Sequence, residues 1–308
     1  MTEAAANSMT EAAANGRLMR LATYFSVGVA LVLIAAKLAA WVATDSVALL
    51  STLVDSTLDA VASLINLFAV HHALQPADHE HRFGHGKAEP LAGLGQSAFI
   101  IGSALFLIGE SGKRLFTPEA VNNPAIGIEV MIFAIAVTVA LVAFQRFVVR
   151  RTGSLAIGAD HLHYTGDLLM NGAVIVSLIL STQFGMSLAD PLFAIAIAAF
   201  LVHGAWRIAW QSYNLLMDRE FPDSERQHIK AICLDHAEVR DVHDLRTRSA
   251  GLQSFIQLHL ELDPDITLAR AHVISDEVEA SIQRAFPAAD IIIHQDPAGV
   301  DEPRPVFS

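Results

Sequence analysis

One cysteine, Cys233, stands in 308 residues. That scarcity excludes an intramolecular disulfide framework and a multi-cysteine zinc knuckle. Cys233 itself reads as a small buried residue on a helix. Charge is also sparse: 17% of the residues are charged against 53% hydrophobic. This is the balance of a membrane protein rather than of a large soluble enzyme. Basic residues are rarest, relative to acids, toward the end of the chain. From Asp218 to Ser308 eighteen acids face nine bases, which accounts for −9 of the total charge of −12. Such a surface disfavours nucleic acid and favours cations. There is no GxxxxGK[ST] loop to cradle a nucleotide, so energy for any transport must come from gradients. The HExxH pattern of a zinc hydrolase is absent too.

Long apolar runs are abundant. Six occur, at about Met19–Ala43, Val47–His72, Glu89–Phe116, Ala125–Val148, Leu155–Phe184 and Ala189–Met217. Each holds at least about 20 residues, enough to cross ~30 Å of hydrocarbon at 1.5 Å per residue. Backbone polar groups in lipid must pair internally, so helices are expected. The first run is too long for a cleaved signal and lacks a small-residue cleavage pattern. Before it, MTEAAAN occurs twice, at Met1–Asn7 and Met9–Asn15. Residues 1–16 are expected to be a disordered N-terminus and 17–217 a six-helix transmembrane domain. Arg17, Arg20, Arg82, Lys87, Arg146, Arg150, Arg151 and Arg219 flank one side, and only Lys113 and Arg114 the other. The positive-inside rule then sets both termini in the cytoplasm.

After Asp218 the period changes. Ser224–Asp235 and Ala269–Phe286 read as amphipathic helices, with Pro287 stopping the second. Val242–Arg248, Ser254–Leu262 and Asp290–His294 read as strands. The order αββαβ predicts a cytoplasmic α+β domain over 218–298, with helices on one face of a three-stranded sheet. Residues 299–308 are expected to be a flexible tail.

Several polar residues lie where lipid should forbid them. Asp55 and Asp59 sit one turn apart in the second run, and a carboxylate near the bilayer centre costs about 2.5–3.5 kcal/mol on insertion scales. Two such charges on one helix face repel unless a cation or protons neutralise them. The fifth run offers His163 and Asp167, again at i and i+4. One imidazole and three carboxylates make a tetrahedral set suited to Zn²⁺ or a similar ion. Asp160 and His161 are expected at the membrane interface, and Asp45 and Asp190 as helix caps. A second group, Asp78, His81 and His85, lies in the loop QPADHEHRFGHGK. A third comprises His243, His259, His272, His294 and Asp296, at strand and helix positions that could converge, with Asp296 able to bridge two ions. A closed four-ligand cage argues against a hydrolase, which needs an open position for water. A compact cage also differs from the rings of carbonyls or acids that line a channel.

As a set these residues resemble the cation diffusion facilitator family, in its bacterial ferrous-iron/zinc efflux branch. The resemblance rests on LVDSTLD (Leu53–Asp59), QPADHEHRFGHGKAE (Gln75–Glu89), ADHLHYTGD (Ala159–Asp167), HDLRTR (His243–Arg248) and IIIHQDP (Ile291–Pro297). It implies a homodimer in the bacterial inner membrane, each protomer having six transmembrane helices and a metallochaperone-like cytoplasmic domain. It implies proton-coupled efflux of Zn²⁺ or Fe²⁺, also Cd²⁺, from cytoplasm to periplasm. Asp55, Asp59, His163 and Asp167 match the family's transport site, and Asp78, His81 and His85 its loop site. His243, His259, His272, His294 and Asp296 match its two-metal cytoplasmic site. Lys87 and Asp218 match a structural ion pair, and Leu162 a hydrophobic gate. The Asp-Asp-His-Asp set is harder than the sets that begin with His, which relaxes selectivity toward iron or cadmium.

Overall fold

The computed structural model describes residues 3–44, 47–116, 125–186 and 188–300. Asp45 and the tail residues 301–308 lie outside the described residues. The chain divides into two compact units. One comprises Asn15–Gln75 and Ala88–Tyr213, and the other joins the start of the chain through Ala14 and the segment Pro76–Lys87 to the chain from Asn214 onward.

Among the described residues six helices supply the first unit, the start of α1 through Ala14 and the end of α6 from Asn214 grouping with the second: α1 (Glu3–Thr44), α2 (Val47–Ala73), α3 (Ala88–Phe116), α4 (Ala125–Thr152), α5 (Leu155–Phe184) and α6 (Ala189–Leu216). The apolar runs of the sequence match these helices, with one correction at the start. Residues 3–16 are helical and continuous with the first span, not disordered. The MTEAAAN copies are rich in Ala and Glu, strong helix formers, and propagation from an existing helix avoids the cost of a new nucleus. Within the bundle Gly16 meets Leu74, a Cβ at Gly16 lying 3.4 Å from its side chain.

Among the described residues five helices, α1 to α4 and α6, carry stretches long and apolar enough to cross a membrane. The first half of α5 instead carries Asp160, His161, His163 and Asp167. α5 packs against α2, α3 and α4. Val29, Leu33, Leu141 and Tyr164 form part of the buried core that results. Phe106, Phe68 and Trp206 are 77%, 70% and 63% exposed, so the unit presents large apolar groups outward, the reverse of a water-soluble bundle. α5 is entered through a tight corner. Gly153, at φ +67°, ends α4 in the left-handed region. Ser154 then accepts the N–H of Ile157 at 3.3 Å, and buried Glu89 of α3 accepts the N–H of Leu155 at 2.8 Å.

The second unit contains α7 (Asp223–Leu234), β1 (Asp241–Ala250), β2 (Gln253–Leu262), α8 (Leu268–Ala285) and β3 (Ala289–Pro297). The strands form one sheet in the order β1-β2-β3, antiparallel then parallel. Ile256, Leu258, Leu260 and Leu262 alternate onto one face, where Ile229, Ile274, Val278 and Ile282 of the helices cover them. Cys233 lies in the same core, and burial pushes its thiol up to about 12.

The sequence did not reveal that the loop 76–87 belongs to this unit. Gly86 lies so close to the β1–β2 turn that a Cβ there would collide with the carbonyl oxygen of Ala250. Arg248 stacks over both Phe83 and Phe255, at 4.6 Å from each ring centre.

Candidate metal centres

In the membrane unit, ligand atoms of Asp59, His163 and Asp167 lie within 4.8 Å of one another. The Nε2 atom of His163 is 2.9 Å from Asp59 Oδ1 and 3.7 Å from Asp167 Oδ2. The three side chains are partly exposed, from 13% for His163 to 39% for Asp167, so an ion could reach them. The face shared by His163 and Asp167 on α5 thus meets the Asp59 face of α2. Asp55 is the departure from the sequence expectation. It is exposed and its carboxylate lies outside the three-residue group. One helical turn displaces it about 6 Å along α2 from Asp59. A fourth ligand from Asp55 requires a side-chain or helix movement.

Asp160, expected at the membrane interface, is 1% exposed and enclosed by the bundle. Ser26 Oγ and Gln145 Nε2 donate to its Oδ2 at 2.6 and 2.7 Å, and Gln96 Nε2 to its Oδ1 at 3.2 Å. Ser26 also bonds Ser63, which in turn bonds the Tyr164 hydroxyl, each at 3.0 Å. These donors come from α1, α3 and α4, so the buried carboxylate ties α5 to three neighbours one turn from His163. Leu162 packs with Ile100 and Ala205. Asp190 accepts from Ser177 Oγ at 3.1 Å, a link between α5 and α6.

The loop group is compact. Asp78 Oδ1 is 3.3 Å from His81 Nδ1, and Asp78 Oδ2 is 3.3 Å from His85 Nε2. The backbone N–H groups of His81 and Glu80 donate to Asp78 Oδ1 at 2.6 and 2.9 Å. They hold its carboxyl below the usual carboxylate range, His81 contributing most. His79 is exposed and stands outside the group. Beside this loop, Lys87 Nζ is 2.9 Å from Asp218 Oδ1, and Arg248 joins the same carboxylate oxygen at 3.6 Å.

The third group is a row written across the sheet. His243 pairs in register with His259, and His259 with His294. All three imidazoles converge on Asp296, which is 6% exposed. His243 Nε2 and His259 Nδ1 approach its Oδ2 at 3.2 and 2.7 Å, and His294 Nε2 its Oδ1 at 3.1 Å. Each oxygen of Asp296 thus faces a different histidine environment. His272 is the exception among the expected ligands. It is 71% exposed, stands 3.7 Å from Asp276 and takes no part in the row. α8 packs on the sheet through Ala271, Ile274 and Val278, and His272 is rotated by about 100° from Ala271, off that face.

Family models match almost the whole chain. The "cation efflux transmembrane domain" matches residues 23–217, and the "cation efflux protein, cytoplasmic domain" matches residues 221–298. The chain belongs to the cation efflux family. Its similarity to curated members is extensive. It is 48% identical over 285 residues to the cation-efflux pump FieF of Salmonella arizonae, covering 92% of this chain and 95% of that one. To the cation-efflux pump FieF of Cronobacter sakazakii it is 49% identical over 285 residues, with the same coverage. Among solved structures, a putative zinc transporter CzrB in its zinc form matches 28% of this chain and 99% of its own, at 34% identity and a TM-score of 0.26.

Within this cation efflux fold, three charged side chains that contact or neighbour these groups escaped the sequence reading. Glu261 Oε1 lies 3.3 Å from His243 Nδ1, on the side away from Asp296, and Asp241 completes a further close group with them. The alternation on β2 that selected His259 marks Glu261 two residues later, so the signal was present. Asp244 adopts φ +46° at an irregularity in the β1–β2 register, which turns its carboxylate to 3.8 Å from His259 Nε2. No periodic pattern signals that. The third is Lys37, which lies within an apolar run and was read only as part of it.

Proposed function

We propose that this family member is a metal:proton antiporter, a homodimer of the bacterial inner membrane with both termini cytoplasmic, that moves Zn²⁺ or Fe²⁺, and also Cd²⁺, from cytoplasm to periplasm. The observation that carries the reading is the convergence of Asp59, His163 and Asp167 from two helices of a membrane bundle. Borderline divalent ions suit imidazole with carboxylates, and the carboxylate excess relaxes preference among them. Asp55 is the fourth ligand, recruited when the ion arrives.

Ligands must be deprotonated to hold the ion, so loading from the cytoplasm displaces protons and protons from the far side help displace the ion. Each pH unit supplies about 1.4 kcal/mol per proton exchanged. A site as tight as a structural zinc, about 10–16 kcal/mol, would not release under that drive. A membrane site that must recruit Asp55 to close its cage fits a weaker, exchanging role. The loop residues Asp78, His81 and His85 form a second metal site. His243, His259, His294 and Asp296 form a cytoplasmic site that, once loaded, relieves the self-repulsion of an acidic domain and stabilises the dimer, with His272 contributing only after α8 or its side chain moves.

The test is Zn²⁺ uptake into proteoliposomes with an imposed pH gradient, repeated with Fe²⁺ and Cd²⁺. Native flux that follows the gradient, with an inactive Asp167→Ala variant, is the expected result. Flux indifferent to pH between about 5.5 and 7.5 overturns the proton coupling, since exchanged protons supply about 1.4 kcal/mol per pH unit. Transport by Asp167→Ala overturns the site.

A further inference from the structure

Lys37 stands on α1 within the apolar stretch Ala13–Ala43. A cation there is expensive, and intramembrane ions are kept where they pair or act. The Nζ atom donates to Ser56 Oγ at 2.6 Å and to the Thr52 carbonyl at 3.1 Å. Both acceptors are neutral oxygens of α2. Ser56 is buried, adjacent to Asp55 and three residues before Asp59. From that position the ammonium is held against the turn of α2 that carries Asp55 and Asp59. Its hydrogen bonds are spent on neutral groups, while Asp55 and Asp59 flank Ser56 on α2 and Asp167 joins Asp59 through His163.

We propose that Lys37 is a tethered counter-cation of the transport site, which lowers its affinity for metal and sets the charge it accepts. Three ionised carboxylates facing one ammonium are neutralised by one divalent ion. A monovalent ion leaves the site negative, and a trivalent one leaves it positive. The same positive charge repels the bound ion, and so favours release over retention. When the ion leaves, the ammonium remains and limits mutual repulsion among the carboxylates. The hydrogen bonds to Ser56 and Thr52 keep the ammonium near the ligands without letting it take a ligand position.

This inference rests on Asp55, Asp59, His163 and Asp167 being the transport ligands, and the experiment separates the two. Zn²⁺ flux into proteoliposomes is measured against concentration for the native protein and for Lys37→Gln, Lys37→Arg, Ser56→Ala and Asp167→Ala. Binding is taken as the difference between each isotherm and that of Asp167→Ala. Removing one charge at this range makes Zn²⁺ bind about tenfold more tightly. The half-saturating concentration of Lys37→Gln therefore falls, and its maximal rate falls with it because release slows. Lys37→Arg restores the native affinity. Ser56→Ala, which removes a hydrogen-bond partner but keeps the charge, leaves the affinity near native. This arm holds even where Lys37→Gln does not fold. If Lys37→Gln binds Zn²⁺ no more tightly, or Ser56→Ala reproduces its effect, the counter-cation role is wrong while the transport site stands. If Asp167→Ala keeps native binding and flux, the site and the inference fall together.

Discussion

In the membrane unit three ligand groups come from two helices, whereas in the soluble unit four come from two outer strands and the strand between them. On α5 the i, i+4 spacing brings His163 and Asp167 to one face, and α2 adds Asp59 from the other side. Asp55, on the same helix as Asp59, stays outside. In the sheet, register alone aligns His243, His259 and His294 in a row, and β3 carries Asp296 two residues farther along the same face. Hydrogen-bonded strands cannot slide without breaking the ladder and flipping faces. Helices in a bundle can shift by an ångström or two while their internal hydrogen bonds remain intact. The difference fits the exchanging role proposed for the membrane centre and the stabilising role proposed for the sheet centre. The membrane centre is assembled across an interface that can move, and the sheet centre is assembled within one folded element.

The widest separation between the two centres should come from their central carboxylates. Asp167→Ala is expected to reduce proteoliposome flux by more than the about 10–100-fold that outer-shell changes typically cost. Asp296→Ala is expected to leave flux in place at saturating metal but to remove metal bound by the cytoplasmic domain, read by metal analysis of the purified protein. Equal loss of flux in both variants would erase the distinction.

Next in size is the loss of metal-dependent stability. An ion at a hundred times its dissociation constant stabilises by about 2.7 kcal/mol. His259→Ala combined with His294→Ala should abolish the corresponding rise in melting temperature, whereas Asp55→Ala should preserve it. His272→Ala, off the row, should cost less than His259→Ala in the same assay.

A smaller effect tests whether the loop group depends on the sheet. Gly86→Ala forces a methyl into the Ala250 carbonyl, and overpacking of this kind costs about 1–3 kcal/mol. The expected outcome is a lower melting temperature and weaker metal binding by Asp78, His81 and His85, with the His243 row intact.

The smallest effect is a pH dependence local to the loop. The depressed Asp78 carboxyl contributes order above the ordinary carboxylate value of 3.8, and that contribution is lost as pH falls through its lower folded range. Hydrogen-exchange protection of the Glu80 and His81 amides should therefore persist at pH 5 and fade only in stronger acid. Fading already above pH 5 would show that Asp78 does not hold them.

The elements were legible because their signals are local. Runs of apolar residues marked six helices, and alternation marked three strands, each to within a few residues. The exception, at residues 3–16, arose because duplicated polar segments were weighed above the helix propensity of Ala and Glu. The candidate membrane ligands stood out because charge inside an apolar run is costly, and i, i+4 spacing puts two groups on one face. Asp160 was misjudged for the complementary reason: its three donors come from helices distant in sequence, and only packing supplies them. Lys37 was overlooked because its acceptors are a serine and a backbone carbonyl on another helix.

Periodicity and composition by themselves determined the six apolar helices, the αββαβ unit and the residues able to bind a divalent cation, because each depends on the chemistry of neighbours along the chain. Tertiary structure decided which of those residues meet. It brought Asp59 to His163, left Asp55 and His272 apart from their groups, aligned three histidines by strand register and anchored the Asp78 loop on the sheet unit. Those outcomes depend on helix packing and strand pairing between segments far apart in sequence, where short-range periodicity carries no information.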